Sequence, residues 1–351
     1  MEEKQPEKQP KKKRRVLRWL IFTLVGVFIF AAFTVGGYAY YLYEKGEKAV
    51  AESYDASRDV KSSLREEEVE PLEDNLSILI VGIDDSTERA QGSNHARSDA
   101  LMLATLNNAD KTIDLVSIPR DSYTFIPSVN YATKINHAHA FGGIDSTIET
   151  VQNLLNVPVD YYVEVNFNAF IDVVNALDGI EVDVPYDLHE LDENDKRTVN
   201  LKKGTQVVDG REALALARTR HQDSDIERGK RQQMILEAIT DKAMSTSSLT
   251  KYSSLITALG DNMTTNMSFD TMKSLFVYMQ SGSPSIKSLS LEGDDDMSTG
   301  VYYYKLRQDN VLSVRQTLQK QLALPEDKEI TLENSYLVDH VTKKDSASSN
   351  K

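Results

Sequence analysis

Between Trp19 and Tyr43 the chain runs for 25 consecutive positions without a charged residue. As a helix that run is roughly 37 Å long at about 1.5 Å per residue, more than the hydrocarbon core of a bilayer requires (about 30 Å). Trp19 stands at one end and Tyr38, Tyr40, Tyr41 and Tyr43 at the other, the interfacial positions that amphipathic rings favour. Eight basic groups precede the run (Lys4, Lys8, Lys11, Lys12, Lys13, Arg14, Arg15 and Arg18), whereas Lys45 and Lys48 beyond it are balanced by Glu44 and Glu47. The positive-inside bias predicts a cytoplasmic tail over residues 1–18, one transmembrane helix over 19–43, and the remainder outside the cell as a single-pass type II protein. A cleaved secretory signal is the competing reading, but its apolar region normally spans about 7–15 residues and ends in small residues, not tyrosines.

The net charge is −14, and because residues 1–18 contribute +5 the rest of the chain carries −19. A body this acidic is a poor general binder of nucleic acid, so the basic run reads as a topology signal. Cysteine is absent. Disulfide scaffolds, cysteine-ligated zinc, iron–sulfur clusters and thiol catalysis are thereby excluded.

Residues 44–74 are charged and weakly periodic, and read as an extracellular stalk with helical stretches. A domain over 75–335 follows. It opens on an apolar strand, Leu76 to Ile83, that ends in Asp84. Further strands are predicted over 100–106, 112–118, 161–167 and 180–184, and helices after Gly142-Gly143, over 168–177, around 212–217 and over 226–244. Asp145 and Ser146 are N-cap candidates for the first of these helices. More weakly, helices are expected at 268–280 and 308–322, with strands near 285–291 and 300–306. Strands alternating with helices at this density imply a layered α/β domain. Residues 336–351 read as a disordered tail.

No G-x-S-x-G elbow, H-E-x-x-H pair, Walker A sequence or dinucleotide fingerprint is present. His95, His137, His139, His189, His221 and His340 show no metal-ligand spacing, and His137 and His139 read as surface or supporting residues. Charged groups do gather at the ends of apolar strands: Asp84, Asp99, and Arg120-Asp121. Loops at the carboxyl ends of strands form the ligand crevice of open α/β sheets. Asp84 and Asp99 could share a divalent cation, magnesium being suited to one or two carboxylates with water and phosphate; the plainer alternative is two aspartates capping turns. Residues 211–231 hold six basic groups against four acidic ones, five of the six being arginine, whose planar fork suits phosphate. If extended, Arg218 and Arg220 point to one side, and Arg228, Arg231 and Gln232 share a face of the helix that follows. A solvated helix face laced with salt bridges accounts for the same pattern. Arginines, a carboxylate-bound cation and a membrane-anchored domain converge on a phosphate or diphosphate at the membrane surface.

The order of motifs over residues 76–240 resembles the LytR–CpsA–Psr family of Gram-positive envelope proteins. The segments that carry it are Leu79-Ile-Val-Gly-Ile-Asp84, Arg97-Ser-Asp99, Ser117-Ile-Pro-Arg-Asp121, Lys134-Ile-Asn-His137 with Phe141-Gly-Gly143, Leu177 to Pro185, Val208 to Leu214, and Ala217-Arg-Thr-Arg220 with Asp223, Asp225, Arg228 and Arg231-Gln-Gln233. The resemblance implies a three-layer α/β/α domain whose apolar pocket takes up a lipid chain. It implies a phosphotransferase that moves an anionic glycopolymer, wall teichoic acid or capsular polysaccharide, from a polyprenyl-pyrophosphate carrier to a peptidoglycan muramic acid hydroxyl. By position, Asp84 and Asp99 would hold Mg²⁺, with Mn²⁺ an alternative. Arg120, Arg218, Arg220 and Arg228 would clamp the diphosphate, Lys134, Asn136 and Gln232 would assist, and Arg97 would support. Asp99 and Asp225 are candidates for the proton acceptor, which stays unassigned. Leu216, where the family commonly has an aromatic residue, and the Ser/Asn-rich loop with His95 bear on substrate preference. A membrane-tethered sensor of lipid-linked precursors and a lipid pyrophosphate hydrolase are the competing functions.

Overall fold

The structure is a computed structural model that describes residues 34, 36–55, 61–83, 97–192, 196–219, 225–245, 251–260, 263–280 and 284–328. The chain divides into two units, Met1–Lys48 and Ala49–Lys351. In the first, residues 36–48 are helical (α1). Among the described residues no helix is long and apolar enough to cross a membrane. Most of the expected span at 19–43, the tail at 336–351, Asp84, Arg220, His95, His221 and His340 lie outside them.

The second unit is built on a six-stranded mixed sheet. Its strands are β1 (Leu76–Ile83), β2 (Ser98–Asn107), β3 (Thr112–Ser117), β6 (Tyr161–Asn166), β11 (Met263–Thr265) and β12 (Ser285–Ser290), in the order β11-β6-β1-β2-β3-β12. β1 is parallel to β6 and β3 to β12, whereas β2 runs antiparallel to both of its neighbours. β1 reads as a nearly unbroken apolar run because both of its faces are covered. Leu79, Val81 and Ile83 join Leu101, Leu103 and Val116 on one face, beneath α2 (His137–Leu155) and α8 (Gln308–Gln321). Leu76, Ile78 and Ile80 join Met102, Ala104, Leu106 and Leu115 on the other, against Leu236 of α5 (Asp225–Met244) and Met272, Leu275 and Tyr278 of α7 (Phe269–Gln280). Alternate residues along each strand thus serve two separate cores, and the domain has helices on both faces of its sheet.

A third core lies to one side, under α3 (Phe167–Ala176) and α4 (Gly210–Arg218), with the hairpins β7 (Ile180–Val184)–β10 (Gly204–Val208) and β8 (Leu188–Glu190)–β9 (Val199–Leu201). α4 starts at a capping box: Asp209 accepts from the Glu212 N–H and Glu212 accepts from the Asp209 N–H, both at 2.9 Å. The short elements β4 (Tyr123–Ile126), β5 (Tyr131–Lys134), β13 (Gly293–Asp296) and α6 (Tyr252–Gly260) escape the periodicity argument, whereas β14 (Tyr303–Leu306), which pairs with β13, lies within the strand expected near 300–306.

Two expectations need correcting. α2 is two helical stretches joined across a kink at the glycine pair: the expected one follows Gly143, and an unexpected one starts at His137 behind the N-cap Asn136; Ser146 is not a cap, its hydroxyl lying 2.6 Å from that of Ser128. Gly142 and Gly143 interrupt the helix, with Gly143 at φ 61° and ψ −149°, a conformation open in practice only to glycine. Arg218 is the last residue of α4, so it is not on an extended segment.

The amino-terminal ends of β1 and β6 are tied down by residues before the sheet. Arg65 donates to both carboxylate oxygens of Asp160 at 2.9 Å, and Asp160 also accepts from the Ser77 N–H at 2.9 Å. At the carboxyl end of α2, Arg315, fully buried, donates to the Leu154 and Asn153 carbonyls and reaches Asp327 at 3.4 Å. Those carbonyls belong to the last turn of α2, which has no intrahelical donors left for them.

Candidate functional site

β1, β3 and β6 finish at one edge of the sheet, and β2 starts there, with Ile83 paired to Ser98. Asp99 follows Ser98, and the chain leaving β3 turns through Pro119 to Arg120 and Asp121, a turn closed by the Ser122 N–H donating to the Pro119 carbonyl at 3.0 Å. The Arg120 guanidinium donates to the Asp99 carboxylate, and its Nε lies 3.6 Å from Asp121 Oδ2. Asp121, 4% exposed, takes Lys134 Nζ on its other oxygen at 2.8 Å. Asn136 donates its backbone N–H to the Arg120 carbonyl at 3.2 Å. The register of β4 with β5 sets Lys134 directly opposite Tyr123. Asp99, Arg120, Asp121, Lys134 and Asn136 therefore form one connected patch.

Buried hydrogen-bonding atoms normally have partners. Among the described residues, four in this patch do not: Ser98 Oγ, Arg120 Nε, Ser122 Oγ and Asn136 Oδ1. Clustered donors and acceptors with unused capacity, beside two cations, mark a site that awaits a polar ligand.

The arginine-rich segment divides into two kinds of residue. Arg218 lays its guanidinium over the Phe167 ring, 4.7 Å from the centroid, where β6 gives way to α3. Arg228 is buried in the first turns of α5. Its neighbour Gly229 sits so close to β3 that an added Cβ would stand 2.6 Å from Ser117 Oγ. Glycine is what lets this helix bring Arg228 to the sheet end. Arg231 is structural: it donates to the Leu216 and Thr219 carbonyls at 3.0 and 2.7 Å and so fastens α4 to α5. Gln232 donates weakly to the Ala217 carbonyl at 3.4 Å, and Gln233 spans the Leu115 and Leu289 carbonyls. Asp225 begins α5. Arg97 is exposed just before β2.

His137 accompanies the patch. Its Nδ1 lies 3.1 Å from Thr133 Oγ1, and burial, together with the charges of Arg97 and Lys134, holds its pKa below 6.5. His139, by contrast, is buried against Glu164 at 2.8 Å, so it is not a surface residue.

Three contributors escaped the sequence reading. Asp121 was visible in its motif, but nothing in the spacing marks it as the carboxylate between two cations. Tyr302 and Tyr303 come from the far end of the chain. Lys134 Nζ lies 5.7 Å and 5.9 Å from their ring centroids. The hairpin that carries them is fixed by a Tyr304 N–H to Asp121 carbonyl bond of 2.9 Å.

Magnesium can be judged on the donors present. Among the described residues no three metal-ligating side chains converge. Magnesium needs only one or two carboxylates when phosphate and water complete its shell, and Asp99, with the unpartnered Asn136 Oδ1 nearby in the patch, is a hard oxygen donor of that kind. Asp84, the second expected ligand, lies outside the described residues, and Asp99 already accepts from Arg120. A cleft of about 350 Å³ at the β7–β10 hairpin, lined by Asn175, Asp178, Gly179, Val207, Asp209 and Glu212, shares no residue with the patch.

The model of the LytR_cpsA_psr family matches residues 39–320. Over 318 residues the chain is 41% identical to the polyisoprenyl-teichoic acid–peptidoglycan teichoic acid transferase TagT of Bacillus subtilis, spanning 90% of this chain and 98% of that protein. The structure of TagT bound to LIIa-WTA superposes with a TM-score of 0.66 at 42% identity, covering 77% of this chain and 99% of the other. TagT with bound octaprenyl pyrophosphate lipid gives 0.62 at 39% identity, covering 76% and 98%.

Proposed function

The chain belongs to the LytR–CpsA–Psr family, and on that premise we propose that it is a glycopolymer–peptidoglycan phosphotransferase working at the outer face of the cell membrane, anchored by residues 19–43. The donor is a glycopolymer on a polyprenyl pyrophosphate, of the wall teichoic acid class. The observation that carries this reading is the patch at the strand ends, with Arg120 and Lys134 set about the buried Asp121 and four polar atoms lacking partners.

Phosphoryl transfer asks for positioning and for charge set against the phosphate oxygens. Arg120, Lys134 and Arg218 supply positive charge at one end of the sheet strands, Arg228 adds to it from α5, and Arg220, outside the described residues, would join them by its place in the motif. Gln232 assists from α5, and Asn136 and Arg97 position the patch. The acceptor is a muramic acid hydroxyl. Its oxygen forms a bond to the phosphorus nearest the sugar as the bond from that phosphorus to the bridging oxygen breaks. Lipid phosphate leaves with that electron pair, and the hydroxyl proton passes to a basic group or to solvent. Asp99 and Asp84 would hold Mg²⁺, which supplies further positive charge at the phosphate oxygens when bound. In that setting Asp99 is a weaker base, which leaves Asp225 as the carboxylate candidate for the proton.

The test uses the full chain in detergent micelles with Mg²⁺, a prenyl-pyrophosphate-linked glycan and a soluble peptidoglycan oligosaccharide. Mass spectrometry is expected to find a phosphodiester-linked conjugate that disappears with Asp99→Ala. Tight donor binding with no conjugate from any of several donors would point to a tethered sensor. Release of lipid phosphate that excess acceptor fails to divert into conjugate would point to a hydrolase.

A further inference from the structure

The hairpin β13–β14 brings a group of tyrosines to the phosphate patch. Tyr302 and Tyr303 flank the Lys134 ammonium, and Tyr123, opposite Lys134 across β4–β5, meets Tyr303 edge-on with centroids 5.1 Å apart and planes at 77°. All three rings are half-buried, so each still offers surface to solvent. Val301 and Met297, 48% and 59% exposed, extend the same strip toward the hairpin tip. The hairpin is held in place by polar contacts. Tyr302 donates its hydroxyl to Asp295 at 2.8 Å, Lys305 pairs with Asp296, and Arg307 pairs with Asp294. Its cross-strand register, Asp295 to Tyr304 and Asp296 to Tyr303, fixes which side chains reach Lys134.

Resting on the phosphotransferase reading, we propose that Tyr302 and Tyr303 form a saccharide subsite that receives the sugar ring next to the reacting phosphate. A pyranose has apolar C–H faces and a hydroxylated rim. Tyrosine matches that pattern with an electron-rich face and a polar edge. Asp295 accepts from the Tyr302 hydroxyl at one ring's edge and Lys134 lies over the two rings, so both set polar partners for sugar hydroxyls beside the aromatic surface. A lipid chain would leave those polar groups without compensation. Covalent geometry makes the same choice: a phosphate oxygen on Lys134 carries its sugar within one ring's length, and both tyrosine rings lie within 6 Å of that nitrogen. The ring can come from the donor glycan or from the acceptor, and the recognition chemistry is the same for either. The hairpin thereby gives the C-terminal third of the domain a direct part in substrate choice.

Titration calorimetry on the full chain in detergent micelles tests the subsite without turnover. Three probes are used: octaprenyl pyrophosphate without sugar, a prenyl-pyrophosphoryl N-acetylhexosamine, and a soluble peptidoglycan disaccharide. Tyr302→Ala is expected to weaken one sugar-bearing probe at least fivefold and to change the sugar-free lipid less than twofold. Tyr302→Phe, which keeps the ring face and loses the hydroxyl bonded to Asp295, is expected to weaken that sugar-bearing probe less than Tyr302→Ala does and to leave the sugar-free lipid within twofold of wild type. Loss on the hexosamine lipid assigns the ring to the donor; loss on the disaccharide assigns it to the acceptor. Equal weakening of all three probes would reduce the tyrosines to props for Lys134 and overturn the proposal. So would unchanged sugar binding in Tyr303→Leu together with Tyr302→Leu, variants that keep apolar bulk if the alanine protein does not fold. A chain that shows the subsite yet makes no conjugate would sink the phosphotransferase reading alone.

Discussion

Lys134 and Asp121 form an ion pair of 2.8 Å at the heart of the patch, and the other oxygen of that carboxylate lies 3.6 Å from Arg120 Nε. Asp121 is 4% exposed and pairs with both cations, while Asp99 pairs with Arg120 alone. Asp121→Ala would leave two partly buried cations facing each other. An expected loss of about 2 kcal/mol follows from the uncompensated charge, and chemical denaturation would measure it. Transfer should fall as well, because Lys134 loses the contact that sets it beside Tyr302 and Tyr303.

The Arg218 guanidinium lies over the Phe167 ring at 4.7 Å, a cation–π contact that holds its planar fork in place for bidentate contact with phosphate oxygens, which an ammonium cannot make. Arg218→Ala and Arg120→Ala should each lower the transfer rate at least tenfold, about 1.4 kcal/mol of transition-state stabilisation, with unchanged circular dichroism. Arg218→Lys should recover little of that loss. Wild-type rates in a folded Arg218→Ala protein would remove this residue from the clamp.

Arg65 and Asp160 meet at the opposite end of β1 and β6 from the patch. Asp160 is 2% exposed, so Arg65→Ala strands a buried carboxylate whose other donors are in Ser77. Stability should drop by about 3 kcal/mol, visible in the denaturant midpoint. Transfer per folded molecule should stay within about twofold of wild type.

His137 is held below its ordinary pKa of 6.5 by burial and by neighbouring cations. The folded protein therefore takes up this proton less readily than the unfolded chain does. Its contribution to stability is complete above pH 6.5 and is lost as the pH falls below that value. The melting temperature of the wild type should decline between pH 7 and 5, and His137→Gln should flatten that part of the curve.

Much of the fold was legible because the long elements announce themselves. The apolar run at 76–83, the 3.6-residue rhythm of 144–155 and the helices near 269–280 and 308–321 lie where periodicity puts them. The short hairpins did not show. Four residues such as 123–126 or 293–296 give no usable period, and β13 is written in aspartates that only cross-strand pairing makes into a strand. In the patch, Asp99 and Arg120 were readable from their places at strand ends, whereas Lys134 and Asn136 were named only by the family resemblance. Asp121 was hidden because its role depends on a residue thirteen positions away, on the next hairpin. Tyr302 and Tyr303 were hidden because no local pattern links the C-terminal third to Lys134. Arg231 shows the reverse error: spacing alone grouped it with ligand-facing arginines, yet it fastens one helix to the next.

Gly229 and Ser117 touch across the boundary between α5 and β3, with no room for even a methyl group between them. The two positions are therefore bound in their evolution: a lineage that enlarges one must shrink the other in step, or draw Arg228 away from the sheet. Their joint history across related genes would record how far the ends of these strands have been free to drift.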